Sequence, residues 1–156
     1  MLTMRPTIIV DADACPVKTE IAETAQAFGV PVLMVASYAH RLPERPGVSI
    51  VQVDRSAQSA DLYIANRIRK GDVLVTQDFG LAALALGKQA VVLSNRGQLY
   101  SDKTIDFLLE RRNEQSRQRR GGKHGKGPRA MTDADRHFFL QSLTKVLLHL
   151  QENGAE

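Results

Sequence analysis

Short β-branched runs alternate with amphipathic stretches over the first two-thirds of the chain, the pattern of βαβ units built around a parallel sheet. Thr7-Ile8-Ile9-Val10 predicts a first, buried strand. Pro16 is suited to open a helix that runs to about Phe28 and is closed by Gly29 ahead of a second strand at 31–36. A third strand is expected at 48–53, after the turn residues Pro43, Pro46 and Gly47. Ser56 or Ser59 then caps a helix from about Ala60 to Lys70, which Gly71 ends. Val73 to Thr76 reads as a fourth strand, 81–86 as a short helix and 90–93 as a fifth strand. Helical character returns from Thr104 to about Arg112. Thr132, with Asp135 three positions on as its capping partner, opens a final helix whose apolar face is Phe139, Leu143, Val146, Leu147 and Leu150.

A chain of 156 residues is the length of one domain, and its 43% apolar and 24% charged content is that of a globular protein. A single cysteine, Cys15, excludes an intramolecular disulfide framework and a zinc site built from cysteines. It fits a reducing, cytoplasmic setting. Apolar runs such as 81–86 fall far short of the roughly 18 residues of a membrane span, and no signal-peptide core is expected at the N-terminus.

The formal charge of +4 is unevenly spread: residues 1–110 carry −1, residues 111–130 carry +7 and residues 131–156 carry −2. The basic stretch RRNEQSRQRRGGKHGKGPRA also holds Gly121, Gly122, Gly125, Gly127 and Pro128. It is expected to continue a helix at first and then to form a Gly-rich loop, about 111–131, ahead of the last helix. Such a segment is either a solvated connection or a phosphate-binding arm, and Arg117, Arg119, Arg120, Lys123 and Arg129 are its candidate contacts. With no Trp, 5 Phe and 3 Tyr, base stacking is expected to be thin.

Ligands of open parallel sheets bind outside the carboxyl ends of the strands. Here those positions are acidic: Asp11 and Asp13 follow strand one, Asp54 strand three and Asp78 strand four, while Asp61 opens the next helix. A lone Asp in such a place is an ordinary cap or turn residue. Several brought to one edge repel unless a cation or a shared proton compensates, and hard oxygen ligands suit Mg²⁺ or Mn²⁺. Such a site serves hydrolysis of phosphate esters. Asp54, followed by Arg55, suits an ion pair as well as a metal, and Asp72, before strand four, belongs to a turn at the opposite edge. His40, after strand two, and Asn95 with Arg96, after strand five, are candidate substrate contacts on the same rim. Cys15 is expected to be a small buried residue rather than a nucleophile, and His124, His137 and His149 have no metal-ligand spacing.

The segments DADACPVK, SADLYIANRI, GDVLVTQDFGLA, LSNRG and KGPR together resemble the bacterial YaiI/YqxD family, closest to its YqxD branch, from about Ile8 to Leu148. That family is uncharacterised and grouped with the PIN-like nucleases. The resemblance implies a single three-layer α/β domain, PIN-like or Rossmann-like, with a mainly parallel sheet of about five strands. Carried over residue by residue, it makes Asp11, Asp61 and Asp78 the catalytic acids and metal ligands, with Asp13 as an accessory ligand. The implied activity is metal-dependent hydrolysis of phosphodiester bonds, in RNA before DNA. Where some relatives carry further acids this chain has Gln58 and Leu62, which leaves fewer ligands than a two-ion site uses.

Three other readings fit the same residues. IIVDADACPV resembles the opening of a haloacid-dehalogenase-type phosphatase, with Asp11 as nucleophile, Asp13 as acid and base, and Ser94 as a second motif, though no suitably placed lysine and no terminal acidic pair after a further strand follow it. A receiver domain using Asp11, Asp13 and Asp54 lacks its lysine in the same way. The third class is a nucleic-acid-binding protein that uses the basic segment and keeps the acids as a relic metal site.

Overall fold

The computed structural model describes residues 5–37, 42, 44–56, 59–120 and 130–154, with the side chains of 112, 115–120 and 154 excepted. Five parallel strands form one sheet: β1 (Ile8–Asp11), β2 (Val32–Ala36), β3 (Val48–Gln52), β4 (Val73–Val75) and β5 (Val91–Leu93). Among the described residues five helices accompany them: α1 (Lys18–Phe28), α2 (Ser59–Arg67), α3 (Phe79–Gly87), α4 (Asp102–Arg120) and α5 (Asp133–Gly154). The expected three-layer α/β architecture with five strands is therefore present. Each predicted strand is found within a residue or so of its expected bounds.

Strand residues alternate between two cores, as the period of two requires. Ile8, Val10, Met34 and Val75 face α1 and α5, where Ile21, Phe139, Leu143 and Leu147 close one layer. Ile9, Leu33, Val35, Leu74 and Val92 face the other side, where Ile64 of α2, Leu81 and Ala85 of α3 and Ile105 of α4 close the second. Burial on both faces explains why β1, β2 and β4 read as continuous apolar runs rather than as alternating ones.

Strand order is β3-β2-β1-β4-β5. From β1 the chain builds outward to β2 and β3, then returns to place β4 on the other flank of β1 and β5 beyond it. The order reverses between β1 and β4, and at such a switch point the carboxyl ends of the two strands leave a crevice.

Local signals act where the sequence places them. Gly29 ends α1 at φ +68°, its N–H donating to the carbonyls of Ala25 and Gln26. Thr132 and Asp135 form a reciprocal capping box, Thr132 N–H to Asp135 Oδ2 and Asp135 N–H to Thr132 Oγ1, each at 3.1 Å. α4 departs from expectation: it begins at Asp102 and continues to Arg120, well past Arg112. The residues beyond Arg112 are largely Arg, Gln and Glu, good helix formers, and Gly121-Gly122 follows them. Half of the segment read as a basic loop is therefore helix, and residues 121–129 lie outside the described residues.

A switch-point cluster of carboxylates

Asp11 is the last residue of β1, and Asp78 is the N-cap of α3, three positions beyond β4. The topology sets them on either side of the switch point, and α2 brings Asp61 from its first turn to the same edge. Asp78 Oδ1 accepts from Leu81 N–H at 3.0 Å, so the capping role of an ordinary strand-end Asp is realised. The residue does more than cap, because it hydrogen-bonds to Asp61 and raises the proton affinity of both Asp61 and Asp11.

Burial pushes the Asp61 carboxyl up to about 6, helped by the negative charges of Asp78 and Asp11 and by the hydrogen bond to Asp78. The Asp11 carboxyl is raised as well, first by burial and then by Asp78 and Asp13, against the lowering effect of a hydrogen bond from Thr76. That bond runs from Thr76 Oγ1 to Asp11 Oδ2 at 3.0 Å, and the same hydroxyl oxygen accepts from Asp78 N–H at 3.0 Å. Thr76 is fully buried, and its carbonyl accepts from the Tyr100 hydroxyl at 3.5 Å. Burial and the nearby Asp78 push the Tyr100 phenol up to about 12, so it stays protonated. Thr76 and Tyr100 were not singled out from the sequence. The readable trace of Thr76 is a hydroxyl residue closing an otherwise apolar strand two positions before an acid.

Asp13 sits on the same edge but is held apart by β2: its Oδ1 and Oδ2 accept from Ser37 N–H at 2.9 and 3.1 Å, and its Oδ2 from Ser37 Oγ at 2.7 Å. Asn95 is buried on the rim. Its N–H donates to Gln77 Oε1 at 2.8 Å and its Nδ2 to the Ala14 carbonyl at 3.2 Å, linking the loops after β5, β4 and β1. Arg96, expected to hold a phosphate, instead binds Asp135 Oδ2 at 2.6 Å and so ties the rim to the start of α5. Ser94 is also structural, its Oγ accepting from Arg96 and Gln98 N–H within the turn, which leaves the phosphatase reading without its second motif.

Asp72 belongs to the far edge as expected, taking Thr7 N–H and Arg69 N–H at 3.0 Å each and pairing with the Arg69 guanidinium. Cys15 is buried, and burial raises its thiol to about 11, which removes the thiolate needed by a nucleophile. His40, Lys123 and Arg129 lie outside the described residues, and Arg117, Arg119 and Arg120 belong to α4 with side chains that are not described.

Among the described residues no three His, Cys, Asp or Glu side chains are grouped so as to hold a metal ion. Asp11, Asp61 and Asp78 share an edge and interact pairwise, yet one Asp11 oxygen is committed to Thr76 and one Asp78 oxygen to the α3 cap. Cavities of about 390 Å³, walled by α1 and the starts of β2 and β3, and about 350 Å³, beside Asn66, Arg67, Arg69 and Asp72, open at the opposite edge of the sheet. Neither includes Asp11, Asp13, Asp61 or Asp78. No helix among the described residues is long and apolar enough to cross a membrane.

Fold and site define a three-layer α/β protein with an acidic cluster at the switch point of a parallel sheet. Residues 9–149 match the uncharacterized BCR, YaiI/YqxD family, and the chain belongs to that family. It is 48% identical over 140 residues to UPF0178 protein BH1374 of Halalkalibacterium halodurans, an alignment covering 90% of this chain and 89% of that one. A UPF0178 protein of Bacillus pumilus is 49% identical, covering 90% and 86% of the two chains, and UPF0178 protein Lm4b_01466 of Listeria monocytogenes is 44% identical, covering 91% and 97%. Among solved structures, a mutant of Rae1 (YacP) from Bacillus subtilis aligns over 96% of this chain and 98% of its own at 15% identity and a TM-score of 0.39, a likeness too low to bear on function.

Proposed function

We propose that this protein is a divalent-metal-dependent nuclease that hydrolyses phosphodiester bonds, in RNA before DNA. The observation that carries this reading is the meeting of Asp11, Asp61 and Asp78, from β1, α2 and the cap of α3, in mutual electrostatic contact at the switch point. Burial together with the neighbouring acids raises the proton affinity of Asp11 and Asp61, so their ionised forms are kept here at a cost in stability, and a bound cation relieves it. Their donor chemistry, hard oxygen throughout, fits Mg²⁺ or Mn²⁺. Their side-chain arrangement is not yet a three-ligand group. Ligation therefore requires the three carboxylates to turn toward one another.

Asp11, Asp61 and Asp78 would hold the ion, which when bound lowers the pKa of a water and offsets charge on the phosphate. Thr76 fixes Asp11 and the backbone of Asp78 through one hydroxyl and so sets the separation of two of the acids. Asp13, held by Ser37, adds negative charge at the edge of the site and is an accessory ligand at most. Asn95 keeps the β1, β4 and β5 loops in register around the acids. An acidic edge repels the polyanion it acts on, so affinity must come from elsewhere. The +7 stretch at 111–130, with Arg117, Arg119, Arg120, Lys123 and Arg129, is the source of phosphate contacts in this account.

The test is incubation of the purified protein with labelled RNA and DNA, single- and double-stranded, in Mn²⁺, Mg²⁺ or chelator. Metal-dependent cleavage that disappears in Asp78→Asn supports the reading. Binding with no cleavage in either metal assigns the protein to non-catalytic nucleic-acid binding. Neither binding nor cleavage overturns both.

A further inference from the structure

Lys18 is the first residue of α1, and its ammonium donates to the Ala12 carbonyl at 3.1 Å. Local physical chemistry argues against a lysine in that place. The amino end of a helix carries the positive end of the backbone dipole, where acids are favoured and cations are not. A position that breaks a local rule is where a function other than folding is to be sought.

The ammonium is held at the acidic edge. Ala12 lies between Asp11 and Asp13 in the loop after β1, and its N–H donates to the Val35 carbonyl at 2.9 Å, continuing the pairing of β1 with β2. Its carbonyl accepts from Cys15 N–H at 3.3 Å as well as from Lys18. Lys18 therefore reaches back to the turn that carries both acids. The buried Cys15 thiol in that turn feels both charges, Lys18 lowering its proton affinity and Asp11 raising it. Cation and carboxylate thus lie within electrostatic reach of one side chain.

Despite these neighbours Lys18 forms no ion pair: among the described residues no carboxylate pairs with its ammonium. Each nearby acid has another partner. Asp11 accepts from Thr76, Asp13 from Ser37, and Glu20, in the first turn of α1, from Arg136 of α5 at 3.0 Å. An ammonium has three N–H donors, of which Ala12 takes one. Bracing of the turn does not account for the residue, because Cys15 N–H already closes the turn on the same carbonyl. A partly buried cation with donors to spare, kept from its neighbouring carboxylates, is suited to a phosphate oxygen.

We propose that Lys18 is a substrate-binding residue, whose ammonium donates to a non-bridging phosphate oxygen of a nucleic acid lying along the acidic edge. This rests on the nucleic-acid reading above and deepens it, by setting a phosphate contact beside the acids themselves. The basic stretch at 111–130 attracts a polyanion from a distance, whereas Lys18 fixes where its backbone runs relative to Asp11. The contact is to a point charge, so arginine can replace lysine and an uncharged side chain cannot.

The test compares Lys18→Gln and Lys18→Arg with the parent, all in the full chain. Binding of a labelled 12-nucleotide single-stranded RNA is followed by anisotropy over a series of NaCl concentrations, with chelator present to stop cleavage. Lys18→Gln should bind at least fivefold more weakly, and its plot of log affinity against log salt should be flatter by about 0.7, the contribution of one phosphate contact on a single strand. Lys18→Arg should keep the parent's slope. With Mn²⁺ present, Lys18→Gln should raise KM at least fivefold and leave kcat within twofold, since the contact is made before and during reaction alike. Its melting temperature should equal or exceed the parent's, because a cation leaves the positive end of α1. A lysine that only braces the turn gives the opposite pattern, a lower melting temperature with an unchanged salt slope. An unchanged slope in Lys18→Gln, whichever way the melt moves, overturns the proposal and leaves the nuclease reading standing. A parent that neither binds nor cleaves the RNA removes the nucleic-acid reading, and this contact with it.

Discussion

Thr76 donates its hydroxyl hydrogen to Asp11 Oδ2 at 3.0 Å, and the oxygen that donates it accepts the backbone N–H of Asp78 at the same distance. One buried side chain therefore joins the carboxyl ends of the two strands that flank the switch point. Removing the hydroxyl leaves a carboxylate oxygen and a backbone donor without their partner, which costs about 1–3 kcal/mol. Thr76→Val, close in shape, should therefore lower urea-derived stability by that amount and raise the Asp11 proton affinity further. Thr76→Ser, which keeps the hydroxyl, should recover most of both. Equal stability of Thr76→Val and the parent would show that the hydroxyl does not organise the site.

The proton affinity of Asp61 gives stability a defined pH dependence. Its folded-state pKa, about 6, is above the ordinary carboxylate value of 3.8. Between those values the folded chain holds more protons than the unfolded one, so this group makes stability fall as pH rises through that window. Below it the effect vanishes, and above about pH 6 the cost of the ionised carboxyl, first from burial and then from Asp78 and Asp11, is fully present. Asp61→Asn should accordingly raise the melting temperature at pH 7.5, by no more than about 2–4 °C because solvent screens a carboxyl that is only partly buried. At pH 3.5 the variant and parent should melt together. Asp11 contributes in the same direction. A lower melting temperature for Asp61→Asn at pH 7.5 would contradict the repulsion.

Gly97 is the contact through which the rim and α5 meet. Its φ is +88°, and any side chain there would press on the backbone of Phe139 as well as on Phe138 and Ser142. Gly97→Ala should lose more than about 1 kcal/mol, since both the backbone conformation and the space are unsuited to a Cβ. Gly87→Ala, inside α3 with open space around it, is the comparison and should be neutral or slightly stabilising. Thermal melts of the two variants separate close approach from a general intolerance of added methyl groups.

Much of this architecture is legible in local pattern. The apolar runs around Ile9, Met34, Leu74 and Val92 are buried on both faces, and that is why they stand out as strands. Gly29 and the Thr132 and Asp135 pair mark helix ends because the capping chemistry lies within three residues of the end it serves. The acids were legible as strand-end residues, since parallel topology gathers all such positions on one edge. What could not be read depends on partners far apart in the chain. Arg96 looks like a free cation until its bond to Asp135, 39 positions away, is seen. Thr76 and Asp11 are 65 positions apart. The extent of α4 differs for another reason: the glycines and proline at 121–128 suggest a loop for the segment after about Arg112, yet the charged and amide side chains before them extend the helix to Arg120.

The central claim, that Asp11, Asp61 and Asp78 act together as a cation site, is tested most directly by calorimetric titration of Mn²⁺ into the parent and into Asp11→Asn, Asp61→Asn and Asp78→Asn at pH 7.5. Asp72→Asn, at the opposite edge, serves as the control once its melt shows it folded. Each Asn removes one charge and one ligand, so the account predicts affinity at least tenfold weaker at all three positions and unchanged in Asp72→Asn. Parent-strength Mn²⁺ binding in Asp11→Asn and Asp78→Asn, or no binding by the parent, would contradict it.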